Sequence, residues 1–202
     1  MPPARLLRTL ALAALAAAAA GAGCDTDPVH TAEVNALGPE APGVPAGPYH
    51  RAGQPCGVCH GPEGPASTEF AIAGTVFYGP GTTSPPVGVG GVVVYLEDDS
   101  SSQHQETTNC VGNFYVSPSD WTPQFPVLVT VGGTADGMYG QASMQSLVGR
   151  STSCGACHEY PTTTDYFESP GLVHLVGQDD PTFKGDTSCP AEPVPVGLPG
   201  LP

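Results

Sequence analysis

Two five-residue stretches carry most of the chemistry open to this sequence. Cys56-Gly57-Val58-Cys59-His60 and Cys154-Gly155-Ala156-Cys157-His158 share one pattern, Cys-Gly-x-Cys-His, and lie roughly a hundred residues apart. Two thiols separated by two residues, with an imidazole directly after them, suit several chemistries. The thiols can add to the two vinyl groups of a haem while the adjacent histidine binds the iron. The four cysteines can gather round one zinc ion, since CxxC pairs are zinc-ribbon spacing. Each pair can close a local disulfide, although such small loops gain little from closure. A thioredoxin-like dithiol needs a βαβ setting and a helix start after the motif, and Cys59-His60-Gly61-Pro62 offers neither. Zinc and disulfide chemistry leave both trailing histidines unexplained, whereas covalent haem employs all six residues. Two covalent haems of the c type are therefore the expectation.

With these residues the chain resembles a multihaem c-type cytochrome. The resemblance implies that Cys56, Cys59, Cys154 and Cys157 attach haem and that His60 and His158 bind the irons from one side. The opposite ligands are open among His30, His50, His104, His174, Met138 and Met144. His174 is the first choice, because "GLVHLVG" is an apolar setting in which an idle imidazole would need another partner. His50, shortly before the first motif, is the second. The two methionines read as packing residues that could serve.

The N-terminus reads as an export signal over residues 1–23. Arg5 and Arg8 precede an apolar run from Leu10 to Ala20, too short to span a membrane, and small residues lead to Cys24. That junction resembles the lipobox of bacterial lipoproteins, which implies diacylation of Cys24 and a membrane anchor facing the periplasm or cell surface. Plain secretory cleavage, leaving Cys24 unmodified, is the alternative. After residue 23 the only basic residues are Arg51, Arg150 and Lys184, against all 19 acidic ones, and the chain carries a formal charge of −14. Such an excess excludes nucleic acid as a natural partner and favours a basic or neutral protein, or simply solubility. Export also means that seven cysteines need chemical explanations. Cys110 and Cys189, left over from the motifs and the anchor, are candidates to pair with each other.

Residues 24–54 are rich in Pro, Gly and Ala and read as a tether. The first CxxCH segment is 55–69, and from Phe70 the character changes. "FAIAGTVFY", "VGVGGVVVYLED", "GNFYV", "FPVLVTV" and "GLVHLVG" are short β-branched and aromatic runs between dense turn signals. They predict a mainly β protein, with a β-sandwich core over 70–132. The second CxxCH segment and a closing strand fall in 133–184, and a Pro-rich tail in 185–202. Only "YGQASMQSLVG" suggests a short helix. Val92, Val94 and Leu96 alternate toward one face, and Gly112 supplies a turn before the strand of Phe114.

The middle of the chain also resembles the carboxypeptidase regulatory-like, transthyretin-like β-sandwich. The matching residues are Gly74 and Val76, then Gly91, Val92, Val94 and Leu96, then Thr108, Gly112 and Phe114. The resemblance implies a scaffold rather than a reaction. No GxSxG, HExxH, GxGxxG or phosphate-loop motif is present. The acidic runs Glu97-Asp98-Asp99 and Asp179-Asp180 read as solvated loops, with calcium binding as the sharper alternative. The expected function is electron transfer between redox proteins outside the cytoplasm, not substrate turnover. The competing expectation is a surface-anchored binding module whose CxxCH cysteines form disulfides or a Cys₄ zinc site, with Trp121 and Tyr115 on its binding face.

Overall fold

A computed structural model describes residues 27–40, 42–83, 86–158, 170–185 and 189. The expected signal segment, Cys24 and nearly all of the Pro-rich tail lie outside the described residues. The chain divides after Ala36 into two compact units. Within the first lies helix α1, Pro28–Ala36, in what the sequence suggests is a featureless tether. Its start has an ordinary cause. Asp27 accepts a hydrogen bond from the Val29 amide at 2.8 Å, and Pro28 takes the first helical position, where its missing N–H is no loss.

The second unit is mainly β, with two antiparallel sheets. Strands β1 (Ile72–Thr75) and β4 (Asn113–Val116) form one; β3 (Gln103–Thr107), β2 (Val93–Glu97), β5 (Leu128–Ala135) and β6 (Met138–Ser143) form the other in that order. One core draws on both. Ile72, Val76, Phe114 and Val116 pack with Val92, Val94, Leu96, Val129 and Val131. Val92, Val94 and Leu96 are buried along one side of their segment, while Tyr95 between them is exposed. Each such aliphatic side chain contributes about 1.5–3 kcal/mol when buried.

Two strands carry no apolar signature and were not expected. β3 is polar throughout, "QHQET", because it is an edge strand whose pairing with β2 is made by backbone. β6 replaces the expected short helix over "YGQASMQSLVG". Asp136 and Gly137, at φ 50° and 74°, reverse the chain after β5, and Met138–Ser143 then pairs along it. The expected closing strand "GLVHLVG" is shorter than predicted. It makes one parallel bridge, between Phe77 and His174, with Phe77 donating to Val173 O at 2.8 Å and accepting from Leu175 at 2.9 Å. Gly112, at φ 84°, does make the turn into β4.

One carboxylate of each acidic run is built into the body. The Asp98 carboxylate is buried and accepts hydrogen bonds from Gln124, Ser100 and Ser102, which hold it below the usual carboxylate range. Asp179 accepts from the amides of Gly81 and Thr83, both at 2.7 Å, and from the hydroxyls of Thr82 and Thr83. Burial pushes its pKa up, but those donors outweigh it and bring it down to about 2. Neither carboxylate reads as a solvated loop residue; each pins one segment to another. A Cys110–Cys189 disulfide, with Cα atoms 5.5 Å apart, ties the start of the tail to the β3–β4 connection.

Candidate functional site

Each CxxCH motif folds as a single tight turn. In the first, helix α2 (Gly57–His60), the amides of Cys59 and His60 both donate to Cys56 O, at 3.1 and 2.8 Å. In the second, a 3-10 turn over Cys154–Ala156, the amides of Cys157 and His158 donate to Cys154 O at 3.1 and 2.9 Å. Residues three and four apart in such a turn share a face, so both cysteines and the histidine of each motif are presented together.

The histidines are held alike. His60 Nδ1 lies 2.7 Å from Thr68 O, and His158 Nδ1 lies 2.5 Å from Gly171 O. A carbonyl can only accept, so Nδ1 carries the proton in both rings and Nε2 keeps its lone pair. That is the tautomer a metal ligand through Nε2 requires. At the second site His158 Nε2 is buried without a hydrogen-bond partner among the described residues, an orphan that a metal would satisfy.

Each motif opens on its own cavity. The first, about 610 Å³, is lined by Cys56, Cys59 and His60 and also by His50, Phe70 and Tyr115. The second, about 720 Å³, is lined by Cys154, Cys157 and His158 and also by His174, Met144 and Leu172. Both have the volume of sites that enclose a small-molecule cofactor. His50 and His60 approach edge to face, ring centroids 5.8 Å apart. His174 Nδ1 lies 2.8 Å from Leu172 O, so it too keeps its Nε2 lone pair. His174 and His50 thus fall one to each cavity. The remaining candidates fall elsewhere. His30 sits in α1 near Glu33, His104 packs on Trp121 and meets Glu106 at 3.0 Å, and Met138 is exposed on β6. Trp121 itself is buried in the core, its Nε1 donating to Ser102 Oγ, which removes it from any binding face. Tyr115 stays 43% exposed, at the end of a ring stack that runs from His60 through Phe70.

The two motifs also interlock, through the glycine that follows the first cysteine in each. A Cβ on Gly57 would stand 2.6 Å from Thr152 Oγ1 and 3.2 Å from Ser153 Cβ, just before the second motif. A Cβ on Gly155 would stand 2.6 Å from Gln54 O and 3.0 Å from Pro55 N, just before the first. Each glycine therefore makes room for the other motif's lead-in. The second motif is further fixed to β1, where Ala73 bridges Ser153 and donates to Thr152 O at 2.8 Å.

Neither motif closes a disulfide; Cys56, Cys59, Cys154 and Cys157 are thiols. Burial pushes the Cys56 thiol up to about 11. Burial, and then the nearby Cys56, push Cys154 to about 12. Such thiols are neutral at physiological pH, the opposite of the depressed thiolate of a redox-active CxxC. Among the described residues no three of His, Cys, Asp or Glu converge as a group able to hold a metal ion by themselves.

Sequence reasoning missed Glu40 and Arg51, which also line the first cavity. Arg51 offered a signal, as one of three cations in the acidic chain after residue 23. Residues 37–54 are not a bare tether. Gly53 N donates to Thr75 Oγ1, and the Asn109 and Asn113 amides donate to Pro48 O and His50 O. No protein-family model, no curated protein and no solved structure matches this chain.

Proposed function

We propose that this protein is a dihaem c-type electron carrier that works outside the cytoplasm. Cys56 and Cys59 would hold one haem c and Cys154 and Cys157 the other, with His60 and His158 as the first iron ligands and His50 and His174 as the opposite ones. Haem supplies a one-electron couple whose potential is set by its axial ligands and their surroundings. The chain supplies attachment, ligand tautomer and an apolar enclosure. One observation carries the reading: each CxxCH motif faces a cavity of suitable volume that contains a second histidine, with His158 Nε2 buried and unpartnered among the described residues. The interlocked glycines support two neighbouring centres, the arrangement through which electrons pass along a short wire.

The β body then serves as the scaffold, and we take its finer architecture to be the transthyretin-like sandwich. A lipid anchor at Cys24, through residues 24–36, would keep the protein at a membrane facing the periplasm or cell surface. Its partners would be redox proteins with neutral or basic surfaces.

Expression with a haem-maturation system tests this directly. The product should be red, show a reduced c-type absorption band, and carry the mass of two haems after denaturation. His174→Ala should open one of the two haems to carbon monoxide. A colourless product with bound zinc would replace the reading with a Cys₄ site. A colourless, metal-free product with disulfides within the motifs would replace it with the surface-anchored binding module.

A further inference from the structure

The first cavity contains a carboxylate–guanidinium pair, Glu40 and Arg51, beside its second histidine. The Arg51 guanidinium donates from Nε to Glu40 Oε1 at 2.9 Å, from Nη1 to Gln54 Oε1 at 2.8 Å and Leu37 O at 3.3 Å, and from Nη2 to Gly38 O at 2.8 Å. One side chain thereby ties the start of the 37–54 arm to its end. Its backbone φ of 50° lies in the left-handed region, which costs a non-glycine residue on the order of 1 kcal/mol or more. That conformation is held by what surrounds it, and what surrounds it leads to His50.

Glu40 Oε1, fixed by Arg51, also stands 3.3 Å from His50 Nδ1. That contact is an ion-pair distance rather than a full hydrogen bond, and buried Nδ1 and Glu40 Oε2 have no hydrogen-bond partner among the described residues. His50 in turn stands edge to face with His60 across the first motif. At the second cavity the corresponding nitrogen, His174 Nδ1, meets the neutral carbonyl of Leu172 at 2.8 Å among the described residues.

We propose that Glu40, held by Arg51, is the positioning residue for His50 at the first iron and makes the first centre electronically distinct from the second. The proposal rests on the dihaem reading. A carboxylate beside Nδ1–H orients the imidazole and makes Nε2 a stronger donor than a backbone carbonyl does. A stronger axial donor favours the oxidised iron, so the first centre has the lower potential of the two. Arg51 shares the carboxylate oxygen and so moderates the effect without cancelling it, since Oε2 remains uncommitted.

The test uses the full chain loaded with haem. Glu40→Gln keeps an oxygen for Arg51 but removes the charge. Spectroelectrochemical titration should then show one potential moving upward and the other unmoved. Arg51→Lys keeps the Glu40 charge but releases its position, and should perturb the ferric electron-paramagnetic signal of the same centre alone. His50→Ala identifies that centre by opening half of the haem to carbon monoxide. Unmoved potentials in Glu40→Gln, or a shift at the centre that His174→Ala opens, would overturn the proposal. So would an Arg51→Lys protein with both ferric signals unchanged, or a His50→Ala protein closed to carbon monoxide. A chain that takes up no covalent haem removes the dihaem reading itself, a failure visible by mass before any potential is measured.

Discussion

The two CxxCH motifs are nearly the same object locally and quite different objects in their settings. Both form one tight turn, with the histidine amide donating to the carbonyl of the first cysteine, and both fix their histidine through Nδ1 to a backbone carbonyl. The first is surrounded by the polar arm 37–54, with Glu40, His50 and Arg51 at its cavity, and its histidine stacks on Phe70 at 4.2 Å. The second is pinned to β1, and its cavity is completed by "GLVHLVG" lying against Phe77. Identical chemistry-bearing residues thus obtain a carboxylate beside the second histidine in one case and a backbone carbonyl beside it in the other. A motif determines its own turn and tautomer, and the environment that tunes it comes from segments far away in the chain.

The largest effect expected from separating the two sites is on haem content. Replacing Cys56 and Cys59 together by Ala should remove one covalent haem and leave the other. Replacing Cys154 and Cys157 should do the same for its partner. Intact mass after denaturation reads both, and loss of both haems from either double variant would mean that the sites form as one unit.

A smaller effect tests the interlock. Gly155→Ala drives a methyl into the Gln54 carbonyl, a backbone atom that cannot swing away, and should cost about 1–3 kcal/mol in urea unfolding. Gly57→Ala meets the Thr152 hydroxyl first, a side chain that can rotate, so its cost should fall at the low end of that range. Equal and negligible costs would show that the motifs are not packed on each other's glycines.

The smallest effect concerns pH and bears on the second site, since Asp179 pins the chain a few residues beyond His174. Its folded pKa, about 2, lies below the ordinary carboxylate value, so the ionised form is the one that stabilises. That contribution is complete above about pH 4 and disappears as the pH falls toward 2. The parent protein should therefore lose stability more steeply across that window than Asp179→Asn, read by thermal unfolding at each pH. Parallel curves would remove Asp179 from the account.

Much of the body was legible in the chain. Runs such as "VVVYL" and "FPVLVTV" place β-branched residues at alternate positions, and β2 and β5 formed from them because burying one face is the dominant local gain. β3 and β6 were illegible for the complementary reason: "QHQET" and "MYGQAS" bury little, and they are strands because neighbours offer them backbone partners. The Asp136-Gly137 pair was the one available signal for β6, and Asp27-Pro28 the one for α1. At the candidate site the six motif residues and the two further histidines were readable from type and setting. Glu40 was not, because a single glutamate in a Pro- and Gly-rich stretch carries no periodicity and no motif.

Sequence alone fixed the residue types at each motif, the spacing that turns both cysteines and the histidine to one side, and the alternation that makes a β core. Those are properties of consecutive residues and follow from local geometry. Tertiary structure decided which histidine shares a cavity with which motif, that each motif's glycine is filled by the other's lead-in, and that Glu40 sits beside His50 while the Leu172 carbonyl sits beside His174. Those depend on segments tens of residues apart meeting in space, which no local rule specifies.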